Sequence, residues 1–376
     1  MKVLHLGKFD GDVGGIERYV RALLSGLPGD IEAINLVAND VPRTDQHRNY
    51  RYLTVRAASH GIVASVALAP SMPLIARRLH REHQFDIIHL HFPDPLGQFT
   101  AMTLPRSVKR VISWHSDIIK QRSALALYRP FLDAFVRDVD AIIGATPQHF
   151  SSSQQMAPGK PGQLREVIPY GFDAGAFGWN DAARRRRAAL DAQPRTRPVI
   201  FTMGRHVYYK GFDVLIRALR SVDADLWIGG RGPLTESLHQ QARDTGVAER
   251  VRFLGFIPDE ELVAYYEACD IFCMPSTERA EQFGLVQLEA MHCGRPVVAT
   301  RLGTGVEYVT LHEVTGLLVE PGNVDALSRA LHRLLDDAGL RARLGAAGRQ
   351  RVAEAFSVQQ MVDKTVAIYR QLAPGR

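Results

Sequence analysis

Two cations stand in the segment Gly204-Arg205-x4-Lys210-Gly211, just after the apolar run 198–203. If that run is a strand, both lie at a sheet's carboxyl edge, where an open α/β sheet binds ligands. An arginine fork grips phosphate oxygens in pairs, and a lysine acts as a mobile point charge. Two acids, Glu281 and Glu289, occupy Glu281-Gln282-Phe283-Gly284-Leu285-Val286-Gln287-Leu288-Glu289. Gly284 allows a turn into a helix whose free amides point at a ligand. Glu281 precedes that turn, and Glu289 is expected more than one turn inside a mostly buried helix. A buried carboxylate needs a partner, and sugar hydroxyls suit it. Gly14 and Gly15 follow the first strand and open a helix, so bare backbone amides can approach an anion there. The full G-x-G-x-x-G pattern is absent. His115, in Trp114-His115-Ser116-Asp117, ends the run 110–114 and is expected to face the ligand edge.

Metal readings are weaker. Asp10-Gly11-Asp12 has D-x-D spacing, but so do Asp138–Asp140 and Asp223–Asp225. His89-x-His91 would share one strand face. No third ligand follows in the sequence, and a ligand contact through His91 is the favoured reading. Cys269, Cys273 and Cys293 are odd in number and sit in apolar runs, as reduced core thiols do. No metal site is expected.

Short apolar runs alternate with longer amphipathic ones. Strands are expected at 2–7, 31–38, 50–55, 86–92, 110–114, 141–145 and 165–169, with helices at 15–27, 72–83, 122–138 and 147–154. The second half repeats the scheme. Its strands are expected at 198–203, 225–229, 251–255, 271–274, 296–300 and 316–319. Its helices are expected at 211–221, 234–246, 259–268, 284–293, 323–336 and 339–355. Near-continuous β-branched runs suit strands buried on both faces of a parallel sheet, and the alternation implies an α/β fold. The arginine run 184–187 reads as a solvated helix face. Ser357 is placed to cap a closing helix at 357–372. Two doubly wound domains, 1–172 and 173–356, would leave a cleft able to hold two substrates, as a group transferase requires.

The chain has 376 residues, 46% hydrophobic and 23% charged, which suits two globular domains and excludes a disordered chain. The net charge of +6 divides as +5 over residues 1–172 and +1 over 173–376. Arginine outnumbers lysine 39 to 7, yet no basic block with interleaved aromatics points to nucleic acid. No apolar run is long enough to span a bilayer. Lys8 and Asp10 come too early for a signal peptide. The apolar stretch Gly61–Ile75, followed by Arg77, Arg78, His80 and Arg81, could rest on anionic lipid or form a core helix with a basic outer face.

Taken together, the early Gly14-Gly15 pair, His115, GR-x4-KG, IGGRGP (228–233), VRFLGFIPDEEL (251–262) and the E-x7-E segment running into EAMHCGRPVVAT resemble the retaining GT-B glycosyltransferases of glycosyltransferase family four. The likeness runs from about residue 3 to residue 370. WHSDI and TRLGTGVEYV are most similar to bacterial mannosyl- or rhamnosyltransferases of O-antigen and exopolysaccharide assembly.

The resemblance implies two Rossmann-like domains with parallel sheets facing a cleft. The closing helix 357–376 would return to the N-terminal, acceptor-binding domain. Gly14, Gly15 and Gly204 match positions beside the donor pyrophosphate, and Arg205 and Lys210 match its two cations. Glu281 matches the acid that orients donor-sugar hydroxyls, helped by amides of Phe283, Gly284 and Leu285. Glu289 matches the ribose acid, Ile257 lies in the loop whose backbone meets the base, and His115 matches a cleft histidine near the sugar. Catalytic roles are thus expected for His115, Arg205, Lys210 and Glu281.

The implied reaction moves a hexose, mannose favoured, from a nucleotide diphosphate sugar to a glycan or lipid-linked acceptor. GDP-mannose is the favoured donor, then GDP-rhamnose, then a UDP-hexose. No cofactor and no metal are needed. The implied place is the bacterial cytoplasm, at the inner face of the membrane. A nucleotide-sugar epimerase shares this fold; the four charged positions together favour transfer. Two positions depart from the family pattern: Gln282 stands where glycine is common, and Tyr170 where asparagine is frequent before Gly171.

Overall fold

The computed structural model describes residues 1–10, 14–48, 51–63, 66–118, 122–156 and 159–374. The chain divides into two compact units, Met1–Gly171 with Val358–Arg376, and Phe172–Ser357.

The first unit is built on an eight-stranded sheet. Its elements are β1 (Lys2–Leu6), α1 (Gly15–Gly26), β2 (Glu32–Ala38), β3 (Asp45–Arg48), β4 (Tyr52–Ala57), β5 (Ile62–Val63), β6 (Val66–Ala67), α2 (Met72–His83), β7 (Ile87–Phe92) and α3 (Pro95–Met102). Then come β8 (Lys109–Trp114), α4 (Arg122–Asp138), β9 (Ala141–Gly144), α5 (Pro147–Ser152) and β10 (Leu164–Val167). The order is β10-β9-β8-β7-β1-β2-β4-β3, parallel except for β3 on β4. Strand alternation divides the side chains. Leu4, Leu6, Ile88, Leu90 and Ile112 meet Met72, Ile75 and Leu79 of α2 on one face. Val3, Ile87, Val111 and Ile143 meet Tyr19 and Leu23 of α1 on the other. Met361, Val362, Val366 and Tyr369 join that second core from the final helix, Val358–Leu372. Gly171 passes so close to this helix that a Cβ there would lie 2.6 Å from the Val358 Cα.

The second unit holds α6 (Asp181–Asp191), β11 (Val199–Met203), α7 (Phe212–Ala218), β12 (Asp225–Gly229), α8 (Thr235–Asp244), β13 (Val251–Gly255), α9 (Leu262–Ala268) and β14 (Ile271–Met274). It continues with α10 (Val286–His292), β15 (Val297–Thr300), α11 (Val306–Val309), β16 (Gly316–Val319), α12 (Val324–Asp336) and α13 (Ala338–Ala355); the final helix is α14. Its six strands are all parallel, in the order β13-β12-β11-β14-β15-β16. The strands are apolar almost throughout, because helices cover both faces. Cys269, Cys273 and Cys293 are buried free thiols in this core.

Several expected elements differ at their ends. The helix expected at 284–293 starts only at Val286, and the one at 259–268 opens with a 3-10 turn, Asp259–Glu261, before α9. β3 was not expected, because Asp-Gln-His-Arg has no apolar alternation; it completes the sheet edge, where Arg56 of β4 pairs with Asp45 at 2.7 Å. α3 is also absent from the expected elements, because its eight residues carry little amphipathic periodicity. The stretch Gly61–Ile75 is not one apolar element. It is the β5–β6 hairpin, a turn at Pro70, and the start of α2.

Candidate active site

In the second unit, chain order reverses direction across the sheet between β11 and β14. Loops leaving these neighbouring strands diverge and open a crevice at their carboxyl ends. Lys210 comes from the β11 loop, and Ser276 and Glu281 come from the β14 loop. The Lys210 Nζ donates to Glu281 Oε2 at 2.5 Å, and Ser276 Oγ donates to the same oxygen at 3.0 Å. The backbone holds both sides. Thr277 N–H donates to the Tyr209 carbonyl (2.8 Å), and Thr304 Oγ1 donates to the Glu281 carbonyl (2.9 Å). Gly211, at φ +66°, lies against this junction: a Cβ there would stand 2.0 Å from the Pro275 carbonyl oxygen.

Lys210 is therefore not the mobile point charge the sequence suggested. Burial opposes its charge, but the attraction and hydrogen bond of Glu281 outweigh that and hold its pKa above the ordinary lysine value. An ammonium has three donors, so two remain after Glu281 takes one. Among the described residues no donor reaches Glu281 Oε1. Arg205 is exposed and makes no salt bridge among the described residues. Gly204 runs beside the lysine stem, 3.3 Å from Lys210 Cε to a Cβ built there.

The turn after Glu281 is anchored in spite of Gln282. The Gln282 carbonyl accepts from Gly305 N–H at 2.8 Å, its side chain reaches the Arg279 carbonyl, and its φ is not positive. Phe283 is buried, whereas Gly284 takes φ +72° against the Met274 sulfur. The N–H groups of Gly284 and Leu285 donate to no backbone carbonyl among the described residues. Glu289 lies in the first turn of the seven-residue α10, not deeper. It is buried, and the Tyr266 hydroxyl donates to its Oε2 at 2.7 Å. Burial and this carboxylate push the Tyr266 pKa well above its usual value. Ile257 is buried, with its side chain against Gly229, while Phe256 beside it is 71% exposed.

In the first unit the corresponding reversal lies between β1 and β7. Gly14 is the N-cap of α1 in an extended conformation, and Gly15 is its first residue. A Cβ on Gly14 would meet the Glu17 carboxylate at 2.1 Å. Gly11 and Asp12 of the D-x-D triplet lie outside the described residues, and Asp10 pairs with His47 at 3.2 Å.

His115 is not an open ligand-facing histidine, because it is buried among other rings. Three strands of this face, β1, β7 and β8, turn from apolar to polar at their carboxyl ends: Val3 then His5, Ile87 then His89 and His91, Val111 then Ser113 and His115. Register sets His5 beside His89. Hydrogen bonds join His5 Nδ1 to His91 Nε2 (3.1 Å) and His91 Nδ1 to His115 Nε2 (3.3 Å). His115 Nδ1 meets the Tyr170 hydroxyl at 2.8 Å, which explains a tyrosine at that turn. The third imidazole missing near His89 and His91 in the sequence is His5, and nitrogens of all three lie within 4.8 Å of one another. Burial drives the pKa of His5 and of His115 down to about 3, and holds His89 and His91 well below the usual value. Tyr170 shows in the sequence only as a departure from the family pattern, because its partner His115 is 55 residues away, and Ser276 and Tyr266 lie outside the motifs.

Residues 13–175 match the family model for Glycosyltransferase Family 4, and residues 187–351 match that for Glycosyl transferases group 1. The fold is that of GT-B glycosyltransferases. A sucrose-phosphate synthase structure from Thermosynechococcus elongatus superposes with a TM-score of 0.81 at 24% identity, covering 99% of this chain and 98% of that one. The D-rhamnosyltransferase WbpZ of Pseudomonas aeruginosa is 32% identical, over 95% of this chain and 92% of its own. A GDP-mannose-dependent alpha-(1-6)-phosphatidylinositol monomannoside mannosyltransferase of Mycolicibacterium smegmatis is also 32% identical, over 89% of each chain. The chain belongs to the family-four glycosyltransferases.

The buried histidines make a stability prediction. Neutral in the fold, they regain a pKa near 6.5 on unfolding, so below that pH the unfolded chain binds more protons. Stability is full above about pH 6.5 and falls as pH drops towards the depressed folded values. Each histidine contributes a slope of up to about 1.4 kcal/mol per pH unit. Urea unfolding at pH 7 and at pH 5.5 should differ by several kcal/mol; equal stabilities would contradict a neutral cluster.

Proposed function

We propose that this glycosyltransferase moves a hexose, mannose favoured, from GDP-mannose to a glycan or lipid-linked glycan with retention of anomeric configuration. The observation that carries the donor site is the Lys210–Glu281–Ser276 group at the β11/β14 reversal. The remaining donors of Lys210 and the fork of Arg205 would take diphosphate oxygens. Glu281 Oε1 would accept from a donor-sugar hydroxyl, and the Gly284 and Leu285 amides would add neutral donors. Glu289, already oriented by Tyr266, would hold the nucleotide ribose.

As the bond from the anomeric carbon to the diphosphate oxygen breaks, negative charge builds on the leaving group. Fixed cations and amides stabilise that charge without reorganising. The acceptor oxygen bonds to the anomeric carbon from the same face, and its proton passes to a leaving phosphate oxygen. No protein nucleophile and no metal ion take part. The GDP-mannose dependence of the mannosyl relative supports this donor, and the rhamnosyl relative keeps GDP-rhamnose as second choice. The likeness of WHSDI and TRLGTGVEYV to O-antigen and exopolysaccharide transferases supports a role in cell-surface polysaccharide synthesis.

Peripheral contact with an anionic membrane is part of the same reading, at the inner face of the bacterial cytoplasmic membrane. No helix of the described residues is long and apolar enough to cross a bilayer. Instead α2 buries Met72, Ile75, Ala76 and Leu79 and exposes Leu74, Arg77, Arg78 and Arg81. Ile62 and Val63, on the β5–β6 hairpin, are each 59% exposed. Exposed apolar side chains and a row of arginines on α2 suit an interface with acidic headgroups.

Replacing Lys210 leaves a largely buried carboxylate unpaired, which itself costs stability. Lys210→Gln, which keeps a donor for Glu281, is therefore the variant paired with Lys210→Ala. Both should fold, by their melting curves, and lose roughly 10²–10³-fold in kcat, as oxyanion-hole donors do; near-normal turnover in either would reject the role. Sedimentation with phosphatidylglycerol vesicles should pellet the protein at low salt and release it at high salt. Arg77→Glu combined with Arg81→Glu should abolish pelleting, and no binding by the native chain would refute membrane contact.

A further inference from the structure

The polar end of the α1/α14 face contains more order than a packed cluster requires. Each of the eight ring nitrogens of His5, His89, His91 and His115 has a hydrogen-bond partner, and the links form one line. It runs from the Tyr170 hydroxyl through His115, His91 and His5 to the Tyr369 hydroxyl (3.4 Å from His5 Nε2). Tyr369 also bonds His89 Nδ1; His89 Nε2 meets Ser113 Oγ at 2.8 Å, and Ser113 Oγ meets the Tyr19 hydroxyl at 3.0 Å.

A neutral imidazole has one N–H donor and one lone-pair acceptor. In a line where each nitrogen is used once, one ring's tautomer therefore fixes the next. Tyr369 is the joint: its one hydroxyl proton can serve His89 Nδ1 or His5 Nε2 but not both, so the other nitrogen must donate to its oxygen. If Tyr369 donates to His89 Nδ1, His5 carries Nε2–H, and His91 and His115 follow in the same sense. If it donates to His5 Nε2, all four rings carry Nδ1–H. Either way the line has one tautomer throughout.

We propose that these four histidines form a single polarised relay, all in one tautomer, and that Tyr369 of α14 is the positioning residue that ties the tautomer of His115 to that of His89. Burial that keeps all four rings uncharged suits such a line, since one protonated ring would set two donors face to face. The convergence of His5, His89 and His91 nitrogens is also what a metal ion would use, but every lone pair there is already accepting from a protein donor. The consequence for turnover rests on the reading of His115 as a site residue; the tautomers themselves do not.

The test is long-range ¹H–¹⁵N correlation of histidine-labelled protein at pH 7, with rings assigned by single His→Gln variants. The native chain should show all four buried rings in one tautomer. Tyr369→Phe cuts the line, so His89 should no longer share its tautomer with His5, His91 and His115. Tyr170→Phe removes the other end and should shift His91 and His5 through His115, which keeps the test open if Tyr369→Phe fails to fold. Mixed tautomers in the native chain, a charged ring, unchanged shifts at the far end of the line in both variants, or stoichiometric zinc in the purified protein would overturn the relay. If the tautomers shift as stated while kcat and KM stay native, the relay stands and the catalytic reading of His115 falls.

Discussion

The contact between Lys210 and Glu281 is the constraint on which the second unit's chemistry depends. A buried ion pair returns little net stability, because desolvation consumes most of its attraction. Its value lies in placing one ammonium, with donors to spare, at the point where two strand loops part. Ser276 on the same carboxylate oxygen, Gly211 against Pro275 and the bonds across Tyr209–Thr277 all serve to hold that geometry. The geometry is thus held by the protein's own contacts, which is what the proposed electrostatic stabilisation of a leaving diphosphate needs.

The first unit follows a different rule. Strand phase alone decides which residues share its α1/α14 face. The carboxyl ends of β1, β7 and β8 place histidine and serine where the amino ends place valine and isoleucine. Polar groups in a dry interior must all find partners, and here they find one another. The final helix does more than cover apolar surface, since Tyr369 joins that polar line between His5 and His89.

Much of this was readable in the residues. Parallel strands showed as near-continuous apolar runs, and the two cations and two acids stood at strand and helix ends where ligand chemistry occurs. Other features were hidden for physical reasons. Lys210 and Glu281 are 71 residues apart, and only the sheet order makes them partners. Tyr369 joins His89 across 280 residues. His115 looked outward at a strand end, but neighbouring rings close over it. β3 carries no apolar signal because its role is to cap an edge.

Calorimetric titration with GDP and with GDP-mannose, on the native protein, Lys210→Gln and Glu281→Gln, tests the central claim most directly. If Lys210 holds the diphosphate and Glu281 the sugar, Lys210→Gln weakens both ligands alike. Glu281→Gln then weakens GDP-mannose more than GDP, erasing any preference for the sugar nucleotide. Affinities for GDP unchanged by Lys210→Gln, or equal losses for both ligands in Glu281→Gln, would contradict that division of roles.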